Sequence, residues 1–145
     1  MVRFMNVINT FDGDYRWLSN FYQSPLQWGD IVYPTVEHAY QASKTNNSSV
    51  RFSISRLSSP GEALRAGHDL VLSDDWTDEH KIKVMELLLR KKFYEDPLRR
   101  LLVDTHPVWL INTNMWGDVF WGMYRGKGEN HLGVLLMKIR GDVEL

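Results

Sequence analysis

The stretch Thr35-Val36-Glu37-His38-Ala39-Tyr40-Gln41-Ala42-Ser43-Lys44 carries reactive residue types at helical spacing. Glu37, Tyr40, Gln41 and Lys44 stand at i, i+3, i+4 and i+7. In a helix this puts a carboxylate, a phenol, an amide and an amine on one face, with small residues opposite. Glu37 would lie in the first turn, where unpaired amides and the helix dipole favour the ionised carboxylate. Such a group suits a base or a stabiliser of positive charge better than an acid. The competing reading is a solvated polar strip whose acid helps cap the helix, and spacing alone favours that plainer reading.

Two further stretches have chemical potential. In Asn112-Thr113-Asn114-Met115-Trp116-Gly117-Asp118-Val119-Phe120-Trp121-Gly122 a carboxylate sits between two indoles and is hemmed by glycines. That arrangement can clamp a flat heterocycle, stacking on its faces and accepting from its ring N–H groups. The alternative is a glycine-punctuated hairpin with core tryptophans. In Arg125-Gly126-Lys127-Gly128-Glu129-Asn130-His131 two cations precede a predicted helix, whose first amides suit a phosphate. The alternative there is a basic turn. Together the three stretches fit a nucleotide-like ligand of base, ribose and phosphate, and leave open whether the chain binds it or cleaves it.

The elements that must position these groups are short. Val7–Phe11, Trp17–Tyr22 and Ile31–Tyr33 are β-prone, with Asp12-Gly13-Asp14 as a turn. Thr35, preceded by Pro34, predicts a helix from Val36 to about Lys44. Further helices are predicted over Val50–Leu57 and over Gly61–Ala66, the latter opened by Pro60 and ended by Gly67. Thr77 caps the longest, in which Ile82, Met85, Leu88, Leu89 and Phe93 recur at three- and four-residue spacing. Pro97 starts a helix through Leu98, Leu101 and Leu102. Asn130 is the expected cap of a last one with Leu132, Leu135, Leu136 and Ile139 as its buried stripe. The expected fold is α+β, predominantly helical, with a small minor sheet, as one compact domain over residues 1–145.

Composition closes off several chemistries. The 145 residues include 17 Lys+Arg and 18 Asp+Glu, a formal charge of -1, which argues against broad phosphate neutralisation. Action on DNA would require a local groove built from Arg90, Lys91, Lys92, Arg99 and Arg100, residues that a solvated helix surface explains equally. With no cysteine, thiolate nucleophiles, disulfides and Cys-ligated metals are excluded. His38, His68, His80, His106 and His131 lack the four-residue spacing of a zinc-binding helix face. Gly126-Lys127-Gly128 lacks the P-loop spacing, and no GxGxxG follows a strand. No metal or organic cofactor is expected. No apolar run approaches the roughly 20 residues that span a bilayer and no signal-peptide stretch opens the chain, so a cytoplasmic protein without a membrane partner is expected.

Several of these motifs, in this order, resemble the NADAR (YbiA-like) family: Trp17-Leu18-Ser19-Asn20-Phe21-Tyr22, the Thr35–Lys44 stretch, Lys81-Ile82-Lys83-Val84-Met85, Trp116-Gly117-Asp118-Val119-Phe120-Trp121-Gly122 and Gly126-Lys127-Gly128-Glu129-Asn130-His131-Leu132-Gly133. The resemblance implies an N-glycosidase. Known members hydrolyse the C–N bond between ribose 5-phosphate and early intermediates of riboflavin synthesis, and related ones remove ADP-ribose from modified guanine, in nucleic acid as well. It implies that Glu37 is the essential glutamate, that Trp76, Asp118 and Trp121 are further site residues, and that Lys44 is a candidate for an imine with the opened sugar. Asn20, Tyr40 and Gln41 are candidates for contacting substrate, and Arg125 and Lys127 for holding phosphate. Of the other tryptophans, Trp17 and Trp116 are expected to support the site, and Trp28 and Trp109 to belong to core or surface. The competing function is a non-catalytic module that senses ADP-ribose or a similar nucleotide.

Overall fold

Short apolar pieces separated by glycine and proline cannot build a large sheet, and they do not. The protein, described here as a computed structural model over residues 6–144, contains two two-stranded sheets and is otherwise mostly helical. The α+β expectation holds. The chain divides into two compact units: one formed by its two ends, up to Ser19 and from Phe93 onward, and one spanning Asn20–Lys92.

The strands of the central unit are β2 (Leu26–Trp28) and β3 (Ile31–Tyr33), antiparallel, with Leu26 opposite Tyr33 and Trp28 opposite Ile31. The connecting Gly29 has φ 64, a value that glycine adopts without a Cβ penalty. Helix α1 (Val36–Ala42) follows at once, and the hydroxyl of Thr35 accepts from the amide of His38 as the expected N-cap. A helix of seven residues is too short to hold itself in water. It is held by packing, against α2 (Ser48–Ser55), α3 (Pro60–His68) and α4 (Asp78–Lys92).

Every residue of α1 is buried, so the solvated-strip reading of Glu37 and Gln41 is displaced. The reason lies in α3. Gly67, expected to end that helix, lies within it, and a Cβ there would stand 1.8 Å from Oε1 of Gln41. The glycine is a packing residue that lets α3 close over the polar side of α1. Asn47 caps α2 through its carbonyl, bonded to the amide of Val50, which moves the start of that helix earlier than Val50. Ser59 caps α3 in the same way, accepting from the amide of Glu62, and Glu62 reaches back to the amide of Ser58.

Helix α4 buries Met85, Leu88 and Leu89 as its spacing predicts. It departs from expectation at its last residue. Lys92 is only 5% exposed, its ammonium lies 5.6 Å from the ring centre of Tyr22, and burial pushes its pKa down to about 7. Arg90 is paired with Glu86 at 3.0 Å. Lys92 is therefore not part of any exposed basic groove, and Arg90 is already neutralised.

In the terminal unit β1 (Val7–Ile8) pairs in parallel with β4 (Trp109–Leu110). The residues Trp17–Tyr22 are not a strand. Gly13–Leu18 forms a 3₁₀ segment in which the neighbours Trp17 and Leu18 are both buried, a pattern that two-residue alternation does not produce. The indole N–H of Trp17 donates to the Asp14 carbonyl at 3.1 Å, and its ring meets Phe93 edge-on at 6.3 Å. Helix α5 (Leu98–Val103) and β4 pack on α6 (His131–Val143), whose Leu132, Leu135, Leu136 and Ile139 are buried as expected. The guanidinium of Arg140, also buried, donates to the Val108 carbonyl at 2.7 Å and to the Thr105 hydroxyl. Among the described residues, no helix is long and apolar enough to cross a membrane.

Candidate active site

The central unit gathers Glu37, Tyr40, Gln41, Lys44 and Trp76. Glu37 is 8% exposed, its amide donates to the Asn20 carbonyl at 3.1 Å, and one carboxylate oxygen receives the Gln41 side-chain N–H at 2.7 Å. A carboxylate brought this far out of water requires donors aimed at it. Gln41 is 2% exposed and faces Glu37 and Gly67, so it stands behind the carboxylate rather than at a surface open to substrate. Asn20 is also buried, with its amide N–H directed at the sulfur of Met85 at 3.5 Å.

His38, next to Glu37, locks the start of α1. Its Nε2 lies 3.1 Å from the Leu57 carbonyl, which can only accept, so Nε2 carries the proton. Nδ1 then accepts from the Thr35 hydroxyl at 2.8 Å. Burial pushes the His38 pKa down, which keeps the ring neutral in this role.

Tyr40 is 5% exposed and joins the remaining groups. The Trp76 ring lies 5.7 Å from it at an interplanar angle of 51°, and the ammonium of Lys44 lies 5.5 Å from its centre. His80 also meets Trp76, edge-on at 5.2 Å. Lys44 is half-buried, just past the end of α1. Burial pushes its pKa below the usual lysine value, Glu37 pulls it up, and Lys81 pushes it down again. Lys81 in turn holds Asp78 at 3.1 Å. Sequence reasoning missed His80, Lys81 and Gly67 here; a glycine inside a segment that stays helical on both sides was the one available sign of close packing.

In the terminal unit the loop around Asp118 is organised by Asn114, 3% exposed, which sequence reasoning also missed. Its carbonyl accepts from the amides of Trp116 and Asp118, and its N–H groups donate to the carbonyls of Asp118 and Met123. Asp118 uses Oδ1 to accept from the amides of Phe120 and Trp121 at 3.1 and 2.9 Å, so it shapes the turn that presents Trp121. Gly122 is obligatory, because a Cβ there would stand 2.1 Å from the Asn112 carbonyl oxygen. The core-tryptophan reading fails. Trp116 is 77% exposed and Trp121 is part-buried, set edge-on to Phe120 at 4.8 Å with His131 at 6.4 Å.

Replacing Asn114 with Ala leaves several loop groups without partners, at about 1–3 kcal/mol for a buried group left unsatisfied. We expect a loss of stability of that order in urea denaturation, accompanied by a change in Trp121 fluorescence. Unaltered fluorescence would show that Asn114 does not hold the loop.

The first amides of α6 are not open to a phosphate, which favours the basic-turn alternative. The amides of Glu129, Asn130, His131 and Leu132 donate to the carbonyls of Val119, Gly122, Phe120 and Trp121, so the loop itself occupies them. Asn130, at φ 52, does not cap α6 with its side chain. It accepts instead from the Asn112 amide and donates to the Leu110 carbonyl. Arg125 and Lys127 are exposed on a tight turn, with the Arg125 guanidinium 5.1 Å from the Tyr124 ring centre. Any hold they have on phosphate belongs to their side chains alone. Of the other tryptophans, Trp17 is in the core, Trp28 donates to the Ser43 hydroxyl at 3.0 Å, and Trp109 is 46% exposed.

A sequence model of the NADAR domain matches residues 8–144. The chain belongs to the NADAR family. Among its NADAR relatives, N-glycosidase YbiA of Escherichia coli (strain K12) is 39% identical over 140 residues, which cover 94% of this chain and 86% of that protein. An N-glycosidase of Nostoc punctiforme is 33% identical over 136 residues, covering 89% and 86%. A riboflavin biosynthesis protein of Vibrio vulnificus is 29% identical over 137 residues, and this NADAR chain spans 37% of its length. The solution structure of E. coli YbiA superposes with a TM-score of 0.85 at 37% identity, over 98% of this chain and 87% of that one.

Proposed function

We propose that this chain, acting as one domain over residues 1–145, hydrolyses the ribosyl C–N bond of an aminouracil ribose 5-phosphate, with Glu37 at the reacting centre. That it is a hydrolase of N-glycosidic bonds follows from its family and from relatives that carry the N-glycosidase name. The riboflavin-pathway substrate is favoured over ADP-ribosylated guanine because relatives of this domain occur in riboflavin biosynthesis proteins. The observation that carries the catalytic reading is the buried carboxylate of Glu37, held by Gln41 on a helix whose next turns bring Tyr40 and Lys44 alongside.

Breaking a ribosyl C–N bond develops positive charge at the anomeric carbon. The Glu37 carboxylate stabilises that charge and takes a proton from the attacking water, while solvent supplies the proton that leaves on the nitrogen of the departing base and then receives the one held by Glu37. Lys44 offers a second route. Its neutral amine displaces the base from the anomeric carbon, one amine proton leaving on the departing nitrogen. The ring oxygen then departs from the same carbon as a hydroxyl, taking the second proton and leaving the imine of the opened sugar. Water hydrolyses that imine to return the amine and free ribose 5-phosphate. Trp76 supplies an aromatic wall braced by Tyr40 and His80. The family resemblance gives Asp118 and Trp121 to recognition of the base.

The test incubates the purified protein separately with an aminouracil ribose 5-phosphate and with ADP-ribosylated guanosine, following products by chromatography. We expect free base and ribose 5-phosphate from the first. Release of ADP-ribose from the second alone would replace the proposed substrate with the other.

A further inference from the structure

The side-chain amide of Gln41 has two ends, and the structure treats them unequally. Its N–H end donates to Oε1 of Glu37 at 2.7 Å. Its carbonyl end is buried with no hydrogen-bond partner among the described residues, and lies where a Cβ on Gly67 would stand 1.8 Å away. Turning the amide over would bring its oxygen against the carboxylate oxygen, acceptor against acceptor. A residue serving only to fill the core would not bury a polar atom without a partner, since apolar residues of similar volume do that without the desolvation penalty.

We propose that Gln41 is a positioning residue for the reaction and that Gly67 is the other half of the device. The amide clamps one oxygen of Glu37 and thereby aims the carboxylate, and the missing side chain at position 67 makes the room that this orientation needs. This rests on Glu37 being the catalytic carboxylate. Gln41 itself touches no substrate. Its effect is on the direction of Glu37, and a misplacement of about 1 Å at a reacting group can cost about a hundredfold in rate.

The test compares Gln41→Met, Gly67→Ala and Glu37→Gln with the wild type, on whichever of the two substrates above the wild type turns over. For Gln41→Met we expect kcat to fall about 10- to 100-fold with KM within about twofold. The melting temperature should fall only modestly, because losing a buried acceptor without a partner offsets part of the cost of withdrawing a donor from the buried Glu37 carboxylate. Gly67→Ala keeps Gln41 but forces its amide aside, and should reproduce the kcat loss although alanine is the better helix former. A wild-type kcat in Gln41→Met, beside an inactive Glu37→Gln, overturns the clamp and spares the catalytic reading. Full turnover by Glu37→Gln overturns that reading and the clamp with it. Activity losses no larger than the fraction of each variant unfolded at the assay temperature assign the pair to folding and overturn the proposal.

Discussion

Glu37→Gln is expected to lower kcat by about 10²- to 10⁴-fold, the range that a positioned general base contributes, while substrate still binds. The substitution is nearly isosteric, and the new amide oxygen can still accept from Gln41, so the buried bond that ties positions 37 and 41 survives. What disappears is the negative charge that would face the anomeric carbon and take the proton from water. Single-turnover kinetics would read the chemical step, and isothermal titration with the inert variant would read binding. Turnover within tenfold of the wild type would remove Glu37 from the mechanism. Weakened binding with an undiminished single-turnover rate would make it a recognition residue.

The second large effect is at Lys44. If the imine route operates, Lys44→Met loses turnover by at least about a hundredfold, and borohydride added during turnover adds the mass of a reduced sugar to the wild type and not to the variant. The direction of the pH dependence is determined by the surroundings of the amine. Attack needs the neutral form, burial pushes the Lys44 pKa below the ordinary lysine value, and Lys81 pushes it further down. Activity should therefore rise with pH through a value below that of a free lysine. Lys81→Met removes a like charge, so that rise should move to higher pH and activity near neutrality should fall. A wild type that never yields an adduct, beside an inactive Lys44→Met, would make Lys44 a binding residue and leave water as the nucleophile.

The residues differ in how they could be foreseen. Glu37, Tyr40, Gln41 and Lys44 were legible as one helix face because i, i+3, i+4 and i+7 fall together on any α-helix. Whether that face met water was not legible, because exposure depends on what packs against it. The spacing alone favoured a solvated strip, and Gly67 on α3, 26 residues beyond Gln41 in the chain, decides the matter by lacking a side chain where the Gln41 amide needs room. The same limit applied to α6. Its first amides looked free in sequence, and only the fold shows the carbonyls of residues 119–122 bonded to them. Trp17–Tyr22 was misread as a strand for a local reason: β-prone residue types were present, but tertiary burial of two adjacent side chains selected a 3₁₀ turn.

By itself the sequence determined what short-range physics determines. It specified a mainly helical α+β chain, capped at Thr35 and Thr77, with the apolar stripes of α4 and α6 facing inward and no thiol chemistry available. The tertiary structure decided which polar groups left water and in which direction they point. Glu37 is buried with the Gln41 amide aimed at it, Lys92 is drawn inward from an expected basic surface, and Asp118 has one oxygen committed to its own loop. The cost of burying a charge or an amide is set by partners that arrive from elsewhere in the chain, and no spacing within one segment contains them.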